Sequence, residues 1–365
     1  MLLVVNAGSS SLKLAVFDAG LARTAEARLE RIGAGGPASH AEALREGVVR
    51  LGLDLSQLSG AAHRVVHGGA GAAGACRITP ETLAMIRAAV PLAPLHNPAN
   101  LTGIEAISAL APDLPQFASF DTAFHATNPA VATTYALPLA ERQAGLRRYG
   151  FHGLSYAALV HRLARSVPPA LAQGRILALH LGNGASLCAV HQGRSVATTM
   201  GYSPLDGLTM GTRAGSIDGN AVLALAARHG IDGAARILNH QSGLLGLGGA
   251  ADMRSLHADP GPEAAFAVEH FCYWAVRHAG SMAAAMGGLD AIAFTGGIGE
   301  NDANVRARIV GGLSFLGARI DARANMANEF NIQETYSNVA IWIVPAEEEQ
   351  QIAREAMAIM AGESA

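Results

Sequence analysis

A turn of small residues between two apolar strands, at residues 4–14, limits the folds open to this chain more than any other segment does. The first strand ends at Asn6, and the turn continues as Ala7-Gly8-Ser9-Ser10-Ser11 before the second strand. A hairpin that serves only the fold usually has a two-residue Asn-Gly or Asp-Gly turn, and consecutive serines lower strand propensity. Converging backbone N–H groups and hydroxyls suit phosphate oxygens. We therefore predict a phosphate-binding hairpin that includes Ser10 and Lys13.

The same strand–turn–strand pattern returns half a chain later, at residues 176–190. Its turn reads His180-Leu181-Gly182-Asn183-Gly184-Ala185-Ser186. Aligning Ser11-Leu12 with Ser186-Leu187 places Val5 on His180 and Gly8 on Asn183. This spacing indicates a duplicated domain with one phosphate hairpin in each half.

A third small-residue turn follows a predicted buried strand at Ala291–Thr295. It reads Gly296-Gly297-Ile298-Gly299-Glu300-Asn301, and we expect a helix to begin near Asn301. A single glycine turn is weak support for nucleotide binding. Three such turns, on strands in both halves of the chain, predict a nucleotide cleft between duplicated domains.

Length, charge and cysteine usage narrow the class of protein. A chain of 365 residues is too long for one ordinary core, so we expect two domains. The formal charge of −3 offers no case for nucleic-acid binding. Cys76, Cys188 and Cys272 are far apart and odd in number, which fits buried thiols in a reducing compartment. With no signal-peptide pattern and no apolar span of membrane length, we expect a soluble, cytoplasmic protein that binds no membrane.

Strand and helix patterns alternate along the chain, which predicts a mixed α/β fold with helices on both faces of the sheets. Between Ala19 and Gly60 we expect surface loops around one helix, at 38–51. Helix 263–286 carries aromatic residues around much of its girth, so it should be buried in a large core or in a subunit contact. The other predicted strands lie at 61–66, 116–121, 176–181, 187–191, 291–295 and 339–344, and the other helices at 80–90, 97–110, 154–165, 218–229 and 301–312, with a final helix after residue 349.

Cationic side chains beside glycines are poorly explained by core packing. Arg64 lies at the end of a predicted strand, and Arg213 lies in the turn Gly211-Thr212-Arg213-Ala214-Gly215. His152 lies between Gly150 and Gly153. One such arginine alone would suit a surface ion pair. Two, in a chain with three phosphate turns, indicate stabilisation of charge in a transition state.

Two carboxylates that follow predicted strands are placed to hold Mg²⁺. Asp121 ends the strand at 116–121, and Glu348 follows the strand at 339–344. A magnesium shell usually combines one or two carboxylates with phosphate oxygens and water. The run Glu347–Glu349 also suits the acidic first turn of a helix. The 14 histidines form no helical His-x-x-x-His pair, so we expect no histidine metal site.

Taken together, these motifs resemble those of the acetate kinases, a family in the actin, sugar-kinase and heat-shock ATPase superfamily. The likeness extends over nearly the whole chain, with the motifs in the same order. They are the first hairpin at 6–13, His63-Arg64-Val65-Val66-His67-Gly68-Gly69, Pro94-Leu95-His96-Asn97-Pro98, Phe120-Asp121-Thr122-Ala123-Phe124-His125, Arg148-Tyr149-Gly150-Phe151-His152-Gly153, the second hairpin at 180–186, Met210-Gly211-Thr212-Arg213, Ser242-Gly243-Leu244-Leu245-Gly246 and the glycine turn at 294–301.

The resemblance implies a role for each group of residues. The catalytic set would be Arg64 and Arg213 at the carboxylate and the transferring phosphoryl group, with Asp121, His152, His180 and Asn183. Asn6 and Glu348 would bind the metal, beside Asp121. The carboxylate would bind at Arg64 and in an apolar pocket of Val66, Leu95, Phe151 and Pro204. The ATP site would comprise Ser10, Lys13, His180, Leu181, Gly182, Asn183, Gly184, Asp252, Met253, Arg254, Gly297, Ile298, Gly299, Glu300 and Asn301.

The resemblance also implies the architecture and the reaction. The fold would be two duplicated ribonuclease H-like, actin-like ATPase domains with the active site in the cleft between them. The domains would span 1–123 plus 349–365, and 124–348. The reaction would be reversible, Mg²⁺-dependent (or Mn²⁺-dependent), direct in-line phosphoryl transfer between ATP and acetate, giving ADP and acetyl phosphate, in a homodimer.

Several alternatives stay open at this point. A propionate kinase of the same family would share these motifs. A sugar or polyol kinase would use Asp121 as a base, and a non-metabolic actin-like ATPase would need no second arginine. Two departures from the family pattern stand out: the segment Ala19–Gly60 is short, and Pro-Thr-Asn-Glu-Glu is replaced by Pro345-Ala346-Glu347-Glu348-Glu349.

Overall fold

The computed structural model describes residues 1–8, 10–94 and 96–362. It divides into two compact units. Unit 1 comprises Met1–Ala126, Gly153–Ala158 and the C-terminal segment from Glu347, and unit 2 comprises Thr127–His152 and Leu159–Ala346. Each unit is built around its own sheet.

Strands and helices alternate through both units, as the sequence patterns predict. The strands are β1 Leu2–Ala7, β2 Ser11–Phe17, β3 Arg23–Glu30, β4 Gly60–Val65, β5 Cys76–Arg77, β6 Gln116–Phe120, β7 Arg175–Leu181, β8 Ala185–His191, β9 Arg194–Thr198, β10 Ala291–Thr295 and β11 Ala340–Ile343. The α-helices are α1 His40–Arg50, α2 Pro80–Ala88, α3 Asn97–Leu110, α4 Ala130–Thr133, α5 Leu139–Gln143, α6 Gly153–Ser166, α7 Pro169–Ala172, α8 Gly219–His240, α9 Gly243–Gly248, α10 Met253–Ala258, α11 Pro262–Met286, α12 Gly296–Asn301, α13 Ala303–Gly312, α14 Ala322–Met326 and α15 Glu348–Met360.

The sheet of unit 1 has the order β3-β2-β1-β4-β6-β5. Strand β1 is apolar and fully buried along its length, because helices cover both faces of the sheet. One face packs on α1 and α3 through a core that includes Leu3, Val5 and Leu44. The other face packs on α15 through Ile352 and Ala353. The hairpin turn between β1 and β2 lies at the carboxyl end of β1.

The sheet of unit 2 has the order β11-β10-β7-β8-β9. Strand β7 pairs antiparallel with β8 and parallel with β10, just as β1 pairs antiparallel with β2 and parallel with β4. The two sheets therefore share one order of strands in space, with β7, β8, β9, β10 and β11 equivalent to β1, β2, β3, β4 and β6. The expected duplication of an actin-like domain is confirmed.

The alignment of the two hairpins that equates Val5 with His180 is wrong. The last paired residues are Ala7 with Leu12 in the first hairpin, and Leu181 with Ala185 in the second. The first turn therefore has one residue more than the second, so His180 is equivalent to Asn6. The physical reason is that turn length, which a gapless alignment ignores, sets where each ladder begins.

Several local features also differ from the expectations. Strand β3 lies within 19–60, where only loops and a helix are expected, because its alternating charged residues at the sheet edge look like a surface loop. Strand β9 is likewise missed. The glycines after β10 do not precede a helix but form one, α12, with Thr295 as its N-cap. The helix expected at 218–229 does end there, because Gly230 has non-helical backbone angles, but a second helical segment that was not expected follows the kink and completes α8 to His240.

Helix α11 is buried along one face through Phe271, Ala275 and Ala279, whereas Phe266 and Tyr273 are exposed. The expectation that this helix is buried on more than one side is therefore wrong within the isolated chain. None of the helices in the described part of the chain is long and apolar enough to cross a membrane.

Candidate active site

Arg64 is the central charged group of unit 1. It lies near the end of β4, where β1 and β4 have stopped pairing after Val5 and His63. Its guanidinium donates to both carboxylate oxygens of Asp121, from Nε at 3.0 Å and from Nη2 at 2.6 Å. Its Nη1 donates to Asn6 Oδ1 at 3.3 Å. Three predicted site residues are thus brought together at adjacent strand ends of one sheet.

Burial and charge act in opposite directions on these side chains. Burial tends to lower the pKa of Arg64, but Asp121, Glu348 and Glu349 hold it above its usual value. Burial raises the pKa of the Glu348 carboxyl group, which Arg64 opposes and Asp121 and Glu349 reinforce. The site therefore concentrates negative charge around one arginine, an arrangement that a bound cation would relieve.

The first turn of α15 supplies a further carboxylate that sequence reasoning did not assign. Glu349 Oε1 accepts from Asn6 Nδ2 at 3.2 Å and lies 3.7 Å from Lys13 Nζ. Lys13 and Asn6 face each other across the first hairpin, in the Asn6–Lys13 pair of the ladder. Because the run of three glutamates has no internal signal for which of them points at the hairpin, only the helix phase of α15 identifies Glu349.

The donor set of unit 1 fits a magnesium ion that keeps other ligands. Among the described residues, no three His, Cys, Asp or Glu side chains form a cluster that would hold a metal by themselves. Mg²⁺ does not require one, since it usually binds through one or two carboxylates, with phosphate oxygens and waters completing the octahedron. The Asn6 amide oxygen and the Glu348 and Glu349 carboxylates are donors of this kind.

In unit 2, two of the predicted catalytic histidines lie against each other. The rings of His152 and His180 stack with centroids 4.1 Å apart. His152 Nδ1 is 2.9 Å from Ser186 Oγ, so a hydrogen bond to the second hairpin orients this imidazole. His152 itself has φ +57°, a left-handed backbone conformation that is costly for a residue with a side chain. Strain of this kind is typical of a functional position.

Arg213 and Asn183 complete this cluster through close approaches at glycines. A Cβ atom on Gly184 would lie 3.1 Å from His152 Nε2 and 3.8 Å from Arg213 Nη1. Arg213 Nη1 donates to the carbonyl oxygen of Pro204 at 3.1 Å. A Cβ atom on Gly211 would lie 2.0 Å from Asn183 Oδ1, so only glycine fits there. The structure therefore gathers His152, His180, Asn183 and Arg213 in unit 2.

Of the four residues predicted for the apolar pocket, the structure describes three, one in unit 1 and two in unit 2. Val66 follows β4 in unit 1 and is buried, as is Phe151 in unit 2. Pro204 is held by Arg213, as described above. Leu95 lies outside the described residues.

A cavity of about 1030 Å³ in unit 2 contains most of the predicted adenosine residues. Gly182 and Asn183 of the second hairpin line it, and so do Asp252, Met253, Arg254, Gly297, Ile298 and Asn301. His257, Asp302, Asn304, Met326 and Asn328 also line it, and sequence reasoning missed them. Gly299 and Glu300 do not: the Gly299 carbonyl accepts from Arg306 Nη1, and Glu300 Oε1 accepts from the Gly296 and Ala346 amides.

Arg306 supports this cavity from behind. It is fully buried, and its guanidinium binds Gly299, Asn325 and Asn328 within 2.9 Å. Burial lowers its pKa to about 10, partly offset by Asp302. An arginine seven residues after the last glycine of a turn carries no signal that separates this role from a surface position, so sequence reasoning did not find it.

Two equivalent sheets, a phosphate-type hairpin in each and a glycine helix beside the second define an actin-like phosphotransferase fold. A profile of the Acetokinase family matches residues 37–354. The acetate kinase of Rhodopseudomonas palustris is 42% identical, with 97% of each chain covered. The propionate kinase of Citrobacter rodentium is 40% identical, covering 100% of this chain and 98% of its own. The crystal structure of Porphyromonas gingivalis acetate kinase superposes with a TM-score of 0.89 at 33% identity, over 98% of this chain and 99% of the other.

The chain belongs to the acetokinase family. Its members are kinases that generally use ATP and a metal ion. The resemblance stated from the motifs alone is thereby confirmed.

Proposed function

We propose that this protein is an acetate kinase that transfers a phosphoryl group reversibly between ATP and acetate, giving ADP and acetyl phosphate. The observation that carries the proposal is the bidentate ion pair between Arg64 and Asp121, in which Nε and Nη2 of the guanidinium donate to the two carboxylate oxygens at 3.0 and 2.6 Å. A sugar kinase of this fold would need Asp121 as a base toward a hydroxyl, whereas here each of its oxygens accepts a hydrogen bond from Arg64, a cation suited to an anionic acceptor. A carboxylate acceptor is already ionised at pH 7 and needs no base.

The proposed transfer is direct and in line. An acetate oxygen attacks the γ-phosphorus, the new C–O–P bond forms, the bond from the γ-phosphorus to the bridging oxygen breaks, and ADP leaves with that electron pair. No proton has to move. The main barrier is repulsion between two anions, which preorganised cations and N–H donors reduce.

Unit 1 would supply the acceptor groups and unit 2 the phosphoryl and nucleotide groups. Arg64 would bind the carboxylate, with Val66 beside the methyl group. Arg213, His152, His180 and Asn183 would donate to the phosphoryl oxygens, and the unit 2 cavity would take adenosine. Ser10 and Lys13 would contact phosphates from the first hairpin.

The metal would be Mg²⁺, with Mn²⁺ as an alternative. Asn6 and Glu348, with Glu349 and Asp121 beside them, are the side chains that would hold it. When bound, the cation neutralises charge on the phosphate oxygens. The carboxylates near Arg64 favour such a cation by their concentrated negative charge.

A hydroxylamine trap tests the reaction. Purified protein is incubated with ATP, MgCl₂ and hydroxylamine, with and without acetate, and both acyl hydroxamate and ADP are measured. We expect hydroxamate and ADP to form in equal amounts and only when acetate is present. ADP formation that does not depend on acetate would support an ATPase and overturn the proposal.

Propionate kinase is the second candidate. It is favoured by the relative named propionate kinase, which is nearly as similar to this chain as the acetate kinases are. The same trap with propionate in place of acetate separates the two, and a higher kcat/KM for propionate would establish the second candidate.

We also propose that the chain forms a homodimer through unit 2. Helices α8 and α11 each carry two large apolar side chains that are more than half exposed: Leu223 at 66% and Ile231 at 81% on α8, and Phe266 at 53% and Tyr273 at 62% on α11. Apolar side chains left exposed on two helices of one unit are suited to a protein contact if the two helices present them together. Light scattering should give twice the chain mass, and Leu223→Glu should give the monomer mass. A wild-type protein that is monomeric at micromolar concentration would contradict the proposal.

A further inference from the structure

The sheet of unit 1 opens between β1 and β4 at the edge that carries the candidate site. The two strands pair from Leu2 with Gly60 up to Val5 with His63, and no further. Beyond that point β1 stays paired with β2 as far as Ala7, while β4 stays paired with β6 as far as Val65. Such a split at the carboxyl ends of parallel strands is where ligands bind in open α/β sheets.

One buried side chain fills this split. Asn100, on α3, is 2% exposed. Its Nδ2 donates to the carbonyl oxygen of Ala7 at 2.8 Å, and its Oδ1 accepts from the Val66 amide at 3.1 Å. A carboxamide offers the same donor and acceptor as a peptide group. Asn100 therefore replaces the ladder hydrogen bonds that the diverging strands no longer make to each other.

Both partners of Asn100 are neighbours of candidate site residues. Ala7 lies between Asn6 and Gly8 at the start of the phosphate hairpin. Val66 is two residues beyond Arg64 and is itself proposed to contact the acyl group. One side chain thus bridges the strand end that leads to the hairpin and the strand end that carries the acceptor residues.

The equivalent position in unit 2 is closed in a different way. There the ladder continues one residue further, with His180 paired to Thr295. At the next residue, a Cβ atom on Gly296 would lie 2.8 Å from the Leu181 carbonyl oxygen. Backbone thus meets backbone in unit 2, whereas a side chain separates the strands in unit 1. The gap at Asn100 is a property of unit 1 and not of the sheet order.

We propose that Asn100 is a positioning residue that sets the spacing between the phosphate hairpin and the acceptor residues Arg64 and Val66. It touches neither substrate. It acts by holding two strand ends at the separation that in-line transfer requires. The kinetic part of this inference rests on the proposed function, whereas its structural part does not.

Asn97 provides a matched control on the same helix, one turn earlier. It is also fully buried, and its amide binds the N–H and the carbonyl oxygen of His67 at 3.1 and 2.8 Å. Those two bonds go to a single residue on the acceptor strand, so Asn97 does not bridge the split. Removing it should disturb His67 and leave the separation of β1 and β4 as it is.

Hydrogen exchange of the ligand-free protein tests the structural part. In Asn100→Ser we expect exchange to quicken by at least about tenfold at the Val66 amide, which loses its acceptor, and at amides 8–14, because the hairpin loses the donor that holds the Ala7 carbonyl. In Asn97→Ser we expect faster exchange at His67 but not at 8–14. Equal exchange at 8–14 in Asn100→Ser and wild type would overturn the proposal, whether or not the protein is an acetate kinase.

Steady-state kinetics test the consequence. We expect kcat of Asn100→Ser to fall by about tenfold to a hundredfold, the usual cost of a displaced reacting group, with little change in ATP affinity. Asn97→Ser should stay within a few fold. Equal losses of kcat in the two variants would point to a general structural role and overturn the proposal. A wild type without acetate-dependent activity would instead overturn the proposed function.

Asn100→Asp keeps the test usable if Asn100→Ser does not fold. It retains an acceptor for the Val66 amide but loses the donor to Ala7. We expect slow exchange at Val66 and fast exchange at 8–14. Slow exchange at both places would overturn the proposal.

Discussion

The hairpins of the two units occupy equivalent places in sheets of the same order, but their surroundings differ in charge. Around the first hairpin, Arg64 and Lys13 are balanced by Asp121, Glu348 and Glu349. Around the second, the four predicted catalytic residues are two stacked histidines, an asparagine and Arg213, with no carboxylate among these four. A repeated backbone can therefore carry two chemistries, because the side chains beside it come from helices and loops that the duplication does not constrain.

The difference extends to the strand next to each hairpin. In register, Arg64 on β4 is equivalent to Thr295 on β10, since Leu2 pairs with Gly60 and Ile176 with Ala291. After Arg64 the strand continues for one more residue, to Val65, whereas after Thr295 the chain turns at once into the glycine helix α12. One unit thus presents a cation at this edge, and the other presents helix backbone to the unit 2 cavity.

The largest expected effect comes from removing the site arginine of each unit, Arg64 in unit 1 and Arg213 in unit 2. We expect Arg64→Ala and Arg213→Ala each to lower kcat by at least about a hundredfold, because one preorganised charge in a site typically contributes ~3–4 kcal/mol to transition-state binding. Arg87→Ala, which removes an exposed ion pair with Glu105, is the control and should keep its activity. Near-normal turnover in either folded site variant would contradict its assignment.

The dependence of activity on the length of the carboxylate substrate tests the proposed acceptor role of unit 1. If Val66 contacts the acyl group as proposed and leaves room for little more than a methyl group, kcat/KM should fall from acetate to butyrate by a factor equivalent to about 1–3 kcal/mol for each added methylene group. Val66→Ala should shift the preference toward propionate, whereas Ile298→Ala in the nucleotide cavity should change KM for ATP and leave the carboxylate order intact. A maximum at butyrate in the wild type would show that these residues do not form the pocket.

Strands β7 and β10 of unit 2 stay close together up to Gly296, so we expect a larger side chain at this position to destabilise the fold. This residue has φ +78°, and an added Cβ atom would meet the Leu181 carbonyl oxygen at 2.8 Å. We expect Gly296→Ala to lower the free energy of unfolding by about 1–3 kcal/mol. The adjacent Gly297, with open space at its Cβ position, is the control. Equal melting temperatures for both alanine variants would refute the close approach.

The smallest expected effect concerns the other end of the same strand pair. Arg175 Nε and Nη2 donate to Asp290 at 2.9 and 2.6 Å, and these bonds lower the pKa of Asp290 to about 2. A carboxyl group with a lowered pKa stabilises the fold above its unfolded pKa and loses that contribution as the pH falls through its folded pKa.

We therefore expect Asp290→Asn to cost about 1 kcal/mol near neutral pH, a value reduced for solvent screening at this partly exposed pair. Urea midpoints from pH 7 to pH 3 give the measurement. The gap between wild type and variant should be constant down to about pH 4 and narrow below it. A gap that widens on acidification would contradict the assignment.

Several parts of this molecule follow from local sequence. Helix α3 spans the expected 97–110, because Pro98 suits the first turn and the apolar residues that follow maintain a helical period. The paired hairpins and the strand before the glycine turn were predicted from apolar runs that end in small residues. Strand β3 was missed because an edge strand with exposed charged residues lacks the apolar signal of a buried one.

Residues whose role depends on contacts with distant parts of the chain could not be predicted from local sequence. Nothing near Asn100 in sequence shows that its amide meets Ala7 and Val66, which are 93 and 34 positions away. The same holds for Glu349, which is chosen over its neighbours only by the phase of α15 against Asn6.

By itself, the sequence determined the local elements, the duplicated hairpins and the chemical types of the groups that handle phosphate, because these depend on neighbouring residues and their periodicity. Tertiary structure alone decided which carboxylate meets the first hairpin, which asparagine holds β1 and β4 apart, and how the equivalent edge of unit 2 closes on a glycine. Those outcomes depend on contacts between residues that are distant along the chain, and only the packing of helices on a completed sheet brings such residues within hydrogen-bonding distance.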